Sequence, residues 1–205
     1  MTRFLCVSIL WFLVGCATLP PGQVTTADVQ CIRKFKPTFK SDWYNASIDV
    51  IGKHLSGLVL FKVMPDSSHR VVFTNEAGIK FFDFGFQPDG KKITHQVIEQ
   101  LDREMVVRTL QKDFELTLMN QVGMLVPRIY SQGEELFFSF PGKKETDAII
   151  SNRDCSKLLR IENGWKGKTK SVVQLFGEME HAPDSILIEH YNFNMKIKLK
   201  RLIKE

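Results

Sequence analysis

Few side chains in this sequence are capable of chemistry, and their spacing limits what they can do. The histidines are His54, His69, His95, His181 and His190, and no two stand at metal-ligand spacing. There is no Gly-x-Ser-x-Gly elbow and no glycine-rich phosphate loop. Asp83-Phe84-Gly85 copies a kinase triplet without its companion motifs. Glu180-His181 has the residue types for acid–base work but stands beside the turn His181-Ala182-Pro183-Asp184, where surface residues are expected. Asn45-Ala46-Ser47 has the form of a glycosylation acceptor. These patterns predict no catalytic residue, no metal and no cofactor, and so a protein that is not an enzyme. The four cysteines are Cys6, Cys16, Cys31 and Cys155. Cys16 follows one cation, Arg3, an apolar run from Phe4 to Val14, and the small Gly15, the order of a secretion signal that ends in a processing site. Cys6 leaves with that signal. Cys31 and Cys155 either pair as a disulfide, in a compartment that permits it, or remain two buried thiols.

The apolar run is shorter than the ~20 residues that span a bilayer. Its end, Leu13-Val14-Gly15-Cys16, resembles the bacterial lipobox. That resemblance implies cleavage before Cys16, a diacylglyceryl group on the Cys16 thiol and usually an N-acyl chain such as palmitate. Residues 1–15 are then a signal peptide. Residues 16–24, which include Pro20, Pro21 and Gly22, form an extended tether reaching about 25 Å at most, at ~3.3 Å per residue. Ala17 follows the cysteine, where enterobacterial lipoproteins kept in the inner membrane carry Asp. No acidic export cluster follows either. The expected location is the outer membrane, lipid-anchored, on its periplasmic face. The remainder, residues 25–205, is long enough for one domain with a full core.

Charge narrows the partners. Lys and Arg total 28 against 23 Asp and Glu, a formal charge of +5. This mild excess suits an anionic membrane surface and is too small for a nucleic-acid footprint.

The elements that must carry these residues are mostly strands. Thr25 to Lys36 predicts a short amphipathic helix, with a capping-box pattern at Thr25 and Asp28, an apolar face of Val29, Ile32 and Phe35, and Pro37 as its stop. Strands are expected over 44–50, 58–64, 70–75, 79–87 and 92–98, joined by short turns at Pro65-Asp66-Ser67-Ser68, Asn75 to Gly78 and Pro88-Asp89-Gly90. Short connections make an antiparallel meander. The period then changes. Val107, Leu110, Phe114 and Leu118 share a face, so Arg103 to Met119 predicts one long helix, with Asp102 as its cap. After the apolar connector Gln121 to Pro127, strands resume over 128–131, 134–140, 148–150, 157–162, 171–179, 186–191 and 194–202, with Asn163-Gly164 as a hairpin turn. The predicted fold class is mainly β with helices (α+β): a curved antiparallel sheet forming an incomplete β-barrel, covered by the central helix.

Three stripes on these elements are candidates for function. Phe82, Phe84 and Phe86 share one strand face, as do Phe138 and Phe140 on another. With Leu110 and Phe114 of the helix they either line an apolar cavity that holds acyl chains or fill a solid core. A cavity would gain ~0.8 kcal/mol per buried methylene. Met124, Leu125 and Val126 either form an exposed loop for a membrane or a partner, or fold back as a lid on the core. Lys196, Lys198 and Lys200 alternate on the last strand and either face anionic head groups or mark an edge strand blocked against further pairing, the second being the expectation.

The succession of lipobox, short helix, strand meander, central helix and further strands resembles the LolA/LolB carrier family. Val72 to Phe84, Val-Phe-Thr-Asn-Glu-Ala-Gly-Ile-Lys-Phe-Phe-Asp-Phe, is also similar to small lipoproteins of Bacteroidota. The resemblance implies an incomplete barrel with a helical lid, binding lipid acyl chains or lipoproteins delivered by a periplasmic carrier protein and inserting them at the outer membrane. LolB has its exposed apolar loop between early strands. Here the early turns are polar around Asp66 and Asp89, and the apolar loop follows the helix. The alternative expectation is a structural or assembly lipoprotein with a filled core and a protein partner on its surface.

Overall fold

Alternation of apolar and polar residues places much of the chain in strands, and polar turn clusters fold most strands back on the one before. The structure, a computed structural model, describes residues 22–25, 27–50, 52–178 and 181–202. The expected signal peptide, Cys16 and the tether up to residue 21 lie outside the described residues. The elements in chain order are β1 (Gln23–Val24), α1 (Gln30–Arg33), β2 (Ser41–Val50), β3 (Lys53–Val63), β4 (His69–Thr74), β5 (Lys80–Phe86) and β6 (Lys92–Val97). A 3-10 turn at Glu99–Leu101 leads into α2 (Glu104–Thr117). Then come β7 (Arg128–Gln132), β8 (Glu135–Pro141), β9 (Thr146–Asn152), β10 (Leu158–Trp165), β11 (Lys168–Phe176), β12 (Ser185–His190) and β13 (Met195–Arg201).

All the strands join one sheet in the order β1-β7-β8-β9-β10-β11-β12-β13-β2-β3-β4-β5-β6, and every pairing is antiparallel. The sheet is curved and open, with β1 and β6 at its two ends. Two meanders, β2 to β6 and β7 to β13, are therefore joined twice: by α2 along the chain, and by β13 lying against β2. Gly57 permits one tight approach in this sheet, since a Cβ there would fall 2.0 Å from the Thr74 carbonyl oxygen.

The sheet's inward residues and α2 make one apolar core. Leu110 and Phe114 of α2 are buried. The Phe114 ring lies 5.9 Å from Phe61 and 5.5 Å from Phe82, so one helical side chain packs on β3 and β5 together. Phe82 and Phe84 stack at 4.6 Å. On β5 the opposite face is also covered: Asp83 is buried and held by the Arg70 guanidinium through two hydrogen bonds, with Lys80 at 3.6 Å. Cys31 of α1 and Cys155 in the β9–β10 turn are placed as a disulfide, Cα atoms 5.8 Å apart and 124 residues apart in sequence.

Several sequence-based expectations change here. The helix expected over 25–36 is only Gln30–Arg33. The backbone before it is already committed to the sheet edge: Gln23 and Val24, expected in the tether, pair with β7, and the Thr25 N–H donates to the Ile129 carbonyl. Asp28 accepts from the Gln30 N–H, while Thr25 caps nothing. Asp102 is not the cap of α2. It closes the preceding 3-10 turn, and Arg103 takes the N-cap position without a side-chain bond. Asn163-Gly164 is no hairpin turn. Asn163 is buried, its Nδ2 donating to Asp147 Oδ1, so β10 bulges there and runs on to Trp165. The turn falls on Lys166 and Gly167, both at positive φ. The lysine strand β13 is no edge: it pairs with β12 and β2 in the middle of the sheet. Met195, Ile197 and Leu199 enter the core from it, and Lys198 and Lys200 stay exposed on the outer face.

Candidate functional site

The apolar stripe of α2 faces the core, so its other side is left to border solvent. Beside it lie β10 and β11. A cleft of about 1160 Å³ opens along this seam. One wall is the outer face of α2, with Met105, Arg108 and Lys112. The connector after α2 contributes Gln121, Met124 and Leu125, and the β5–β6 turn contributes Gly90. The opposite wall is the β8–β9 turn, including Lys143 and Lys144, and the floor is Phe140, Asp147, Asn163, Ser171 and His190.

The floor is held by charge. Lys112 Nζ donates to Asp147 Oδ2 at 2.6 Å and to Glu115 Oε2 at 3.1 Å, and Lys92 Nζ meets the same Glu115 oxygen at 3.1 Å. Burial works against the Lys112 charge, but Asp147 and Glu115 outweigh it and hold the ammonium above its ordinary value. Lys170 donates to Glu145 at 2.6 Å. Burial opposes the Glu145 charge, and the Lys170 bond overrides it, so this carboxyl lies below its ordinary value. Asp113, on α2, is fully buried and meets His190 at the end of β12. Burial pushes the Asp113 carboxyl above its ordinary value, against the pull of His190 and Lys112. Lys143 and Lys144 make no ion pair among the described residues.

The rim is apolar. Met105 is 77% exposed, Met124 45%, Leu125 56% and Val126 88%. The connector is fixed under this rim by the Gln121 carbonyl, which accepts from Met124 N–H and Leu125 N–H, and by Lys36 Nζ, which donates to the Val122 carbonyl at 3.4 Å. A charged floor under an apolar rim suits an amphipathic ligand. Among the described residues, no three His, Cys, Asp or Glu side chains are grouped to hold a metal ion.

The structure divides the residues singled out from the sequence. Phe82, Phe84, Phe86, Leu110, Phe114 and Phe138 are buried in the core and do not line the cleft; Phe140 alone of that group does. The reason is α2, whose apolar face sits directly on the aromatic strands and fills the space a cavity would need. Met124 and Leu125 lie at the cleft mouth, with Val126 beyond it. His181 is exposed, and Glu180 lies outside the described residues, as does Cys16. Met105, Gln121, Lys143, Lys144 and the Asp113–His190 pair are features the sequence patterns passed over. Met105 carries the one readable signal, a long apolar side chain on the polar face of a helix.

No protein-family model and no curated protein matches this chain. Among solved structures, it is similar to a LolA superfamily protein from Nitrosomonas europaea, at 12% identity over 87% of this chain and 93% of that one, with a TM-score of 0.47. It is also similar to a DUF1329 family protein from Desulfovibrio piger, at 10% identity over 85% and 89%, TM-score 0.44. A domain named for outer-membrane lipoprotein sorting from Vibrio parahaemolyticus is similar at 7% identity over 85% and 90%, TM-score 0.44.

Proposed function

We propose that this chain is a non-enzymatic lipoprotein, anchored through Cys16 to the periplasmic face of the outer membrane, that binds a lipid or an acylated protein in the cleft beside α2. The observation that carries the proposal is the rim of Met105, Met124 and Leu125 over the charged floor. Exposed apolar side chains grouped at the mouth of a pocket are poor surface and good contact for an acyl chain. At ~0.8 kcal/mol per methylene removed from water, a few methylenes give measurable binding. The lysines of the β8–β9 turn and the floor meet the polar end of the same ligand. The tether sets the working distance from the bilayer, and a Cys31–Cys155 bridge ties α1 to the β9–β10 turn. Handing acyl cargo between a periplasmic carrier and the membrane is the role this placement suits.

Native mass spectrometry of the purified full chain tests the proposal. Bound lipid masses, lost in a Met124→Asp, Leu125→Asp double variant, are expected. A bare mass with no uptake of added palmitic acid would reject it. Labelling with palmitate, abolished by Cys16→Ala, tests the anchor separately.

A second reading is favoured by the filled core: a structural or assembly lipoprotein that uses the Met124–Val126 rim to hold a protein partner. It predicts a bare mass together with a partner cross-linked through position 125.

A further inference from the structure

The turn between β10 and β11 carries a large aromatic side chain where a polar one is expected. Trp165 closes β10 and is 49% exposed. Period two would carry it inward after the buried Ile161 and Asn163, but the bulge at Asn163 and Gly164 breaks the alternation just before it. Two ammonium groups hold the ring, Lys166 Nζ at 4.5 Å from its centroid and Lys170 Nζ at 5.9 Å. Tyr191, whose N–H donates to the Lys170 carbonyl, opens the neighbouring β12–β13 turn and is 64% exposed. The β8–β9 turn lies on the other side, since Gly164 pairs with Thr146. Lysines crowd this end of the sheet. Lys143, Lys144, Lys166 and Lys168 are exposed, and none of them makes an ion pair among the described residues. The acids nearby are taken: Glu145 by Lys170, Glu162 by Arg160 and Asp147 by Lys112.

We infer that this end of the sheet, centred on Trp165, is a docking surface for an anionic phospholipid bilayer. An indole and a phenol beside free ammonium groups are the side chains that settle at the head-group level of a bilayer, apolar body inward and polar tip in water. The free cations are all lysines. Arg160, on the same strand as Trp165, is committed to Glu135 and Glu162. Lysine is a point charge on a flexible stem, whereas a fixed pattern of carboxylates on a folded partner is met by the planar fork of arginine. Unpaired lysines on turns thus suit the diffuse, fluid charge of lipid head groups better than the set surface of an acidic protein. Each lysine brought to an anionic bilayer is worth about fivefold in binding, and the attraction fades within a Debye length, so it acts at contact. The inference uses neither the occupant of the cleft nor the Cys16 anchor. Lys143 and Lys144 also line the cleft, so the variants that test it leave them in place.

Vesicle sedimentation tests it, with the full chain carrying Cys16→Ala so that no acyl group contributes. The probes are vesicles of phosphatidylcholine alone and vesicles with a third of their lipid as phosphatidylglycerol. The anionic vesicles are expected to bind at least tenfold more tightly, a preference lost in high salt. Lys166→Glu with Lys168→Glu should lower anionic binding at least tenfold, keep neutral binding within twofold and leave the Tm unchanged, both side chains being exposed. Trp165→Ala should weaken anionic binding about threefold or more without changing its salt dependence. Residues 1–15 contribute equally in every variant and drop out of the comparison. Equal binding of both vesicles by the Cys16→Ala chain, or a preference that survives the double charge reversal, would overturn the inference. So would failure to bind either vesicle, and binding of soluble polyglutamate in that case assigns the surface to an acidic protein instead. Should the double variant fail to fold, Lys166→Gln with Lys168→Gln must still lower the anionic preference about tenfold.

Discussion

Asp113 of α2 and His190 of β12 meet in the floor of the cleft, with His190 Nε2 3.0 Å from Asp113 Oδ1 and 2.9 Å from Oδ2. This contact pins the helix to the second meander, while the neighbouring Phe114 packs on β3 and β5. Removing Asp113 leaves His190 buried without its partner. Asp113→Ala is expected to lower stability by roughly 1–3 kcal/mol, the cost of leaving a buried hydrogen-bonding group without its partner. Urea unfolding at neutral pH measures it.

The same carboxyl gives a pH dependence with a defined sign. Burial raises its pKa above 3.8, so between that value and the raised one the folded chain holds a proton the unfolded chain has lost. Stability falls as pH rises whenever the native state binds more protons. The Asp113 contribution should therefore decline from pH 3.8 upward through the raised pKa, and Asp113→Asn should remove that decline. Urea midpoints from pH 4 to 7 compare the two proteins. Equal slopes would mean that Asp113 does not titrate in this interval.

Phe84 tests whether the aromatic stripe is core or ligand surface. Phe84→Ala is expected to lose about 3–5 kcal/mol of stability, as for large core truncations. Palmitic acid affinity should stay within twofold, because the ring does not border the cleft. A collapse of affinity in a variant that is still folded at the assay temperature would restore the cavity expected from sequence.

Met124 and Leu125 should behave in the opposite way. Each is exposed, so Met124→Asp and Leu125→Asp are expected to change stability by less than about 0.5 kcal/mol. Together they should lower acyl-chain affinity tenfold or more by removing apolar contact and adding charge. Paired titration and denaturation curves measure both effects.

The Cys31–Cys155 bridge closes a loop of more than a hundred residues. Long loops gain most from closure, so Cys155→Ser should lower stability by roughly 2–5 kcal/mol. Reductant should bring the wild type down to the same value, which thermal melts with and without dithiothreitol will show.

The sheet and the helix were legible because their periods are strong. Lys-Ile-Lys-Leu-Lys at β13 and the Leu110–Phe114 spacing of α2 each allow one element type. Where those elements go in space was not legible. The lysines of β13 look alike on an edge strand and on the outer face of a central one, and only the return of β13 to β2 tells them apart. Asn163-Gly164 was misleading for a related reason. Its turn chemistry is local, but the Asp147 carboxylate that holds Asn163 comes from a neighbouring strand. The cleft was harder still. The stripe drew attention to the side of α2 that is filled, and the open side is built from charged residues that in sequence look like ordinary solvated surface.

The placement of β13 also bears on assembly. Met195–Arg201 follows every other described strand in the sequence and belongs at the sheet's centre. Until it arrives, β2 and β12 each show a bare edge to any passing chain, and the two halves cannot close on a common interior. The sheet thus completes itself only when β13 drops between them, like a keystone, and a polypeptide cut short before residue 195 should clump rather than fold.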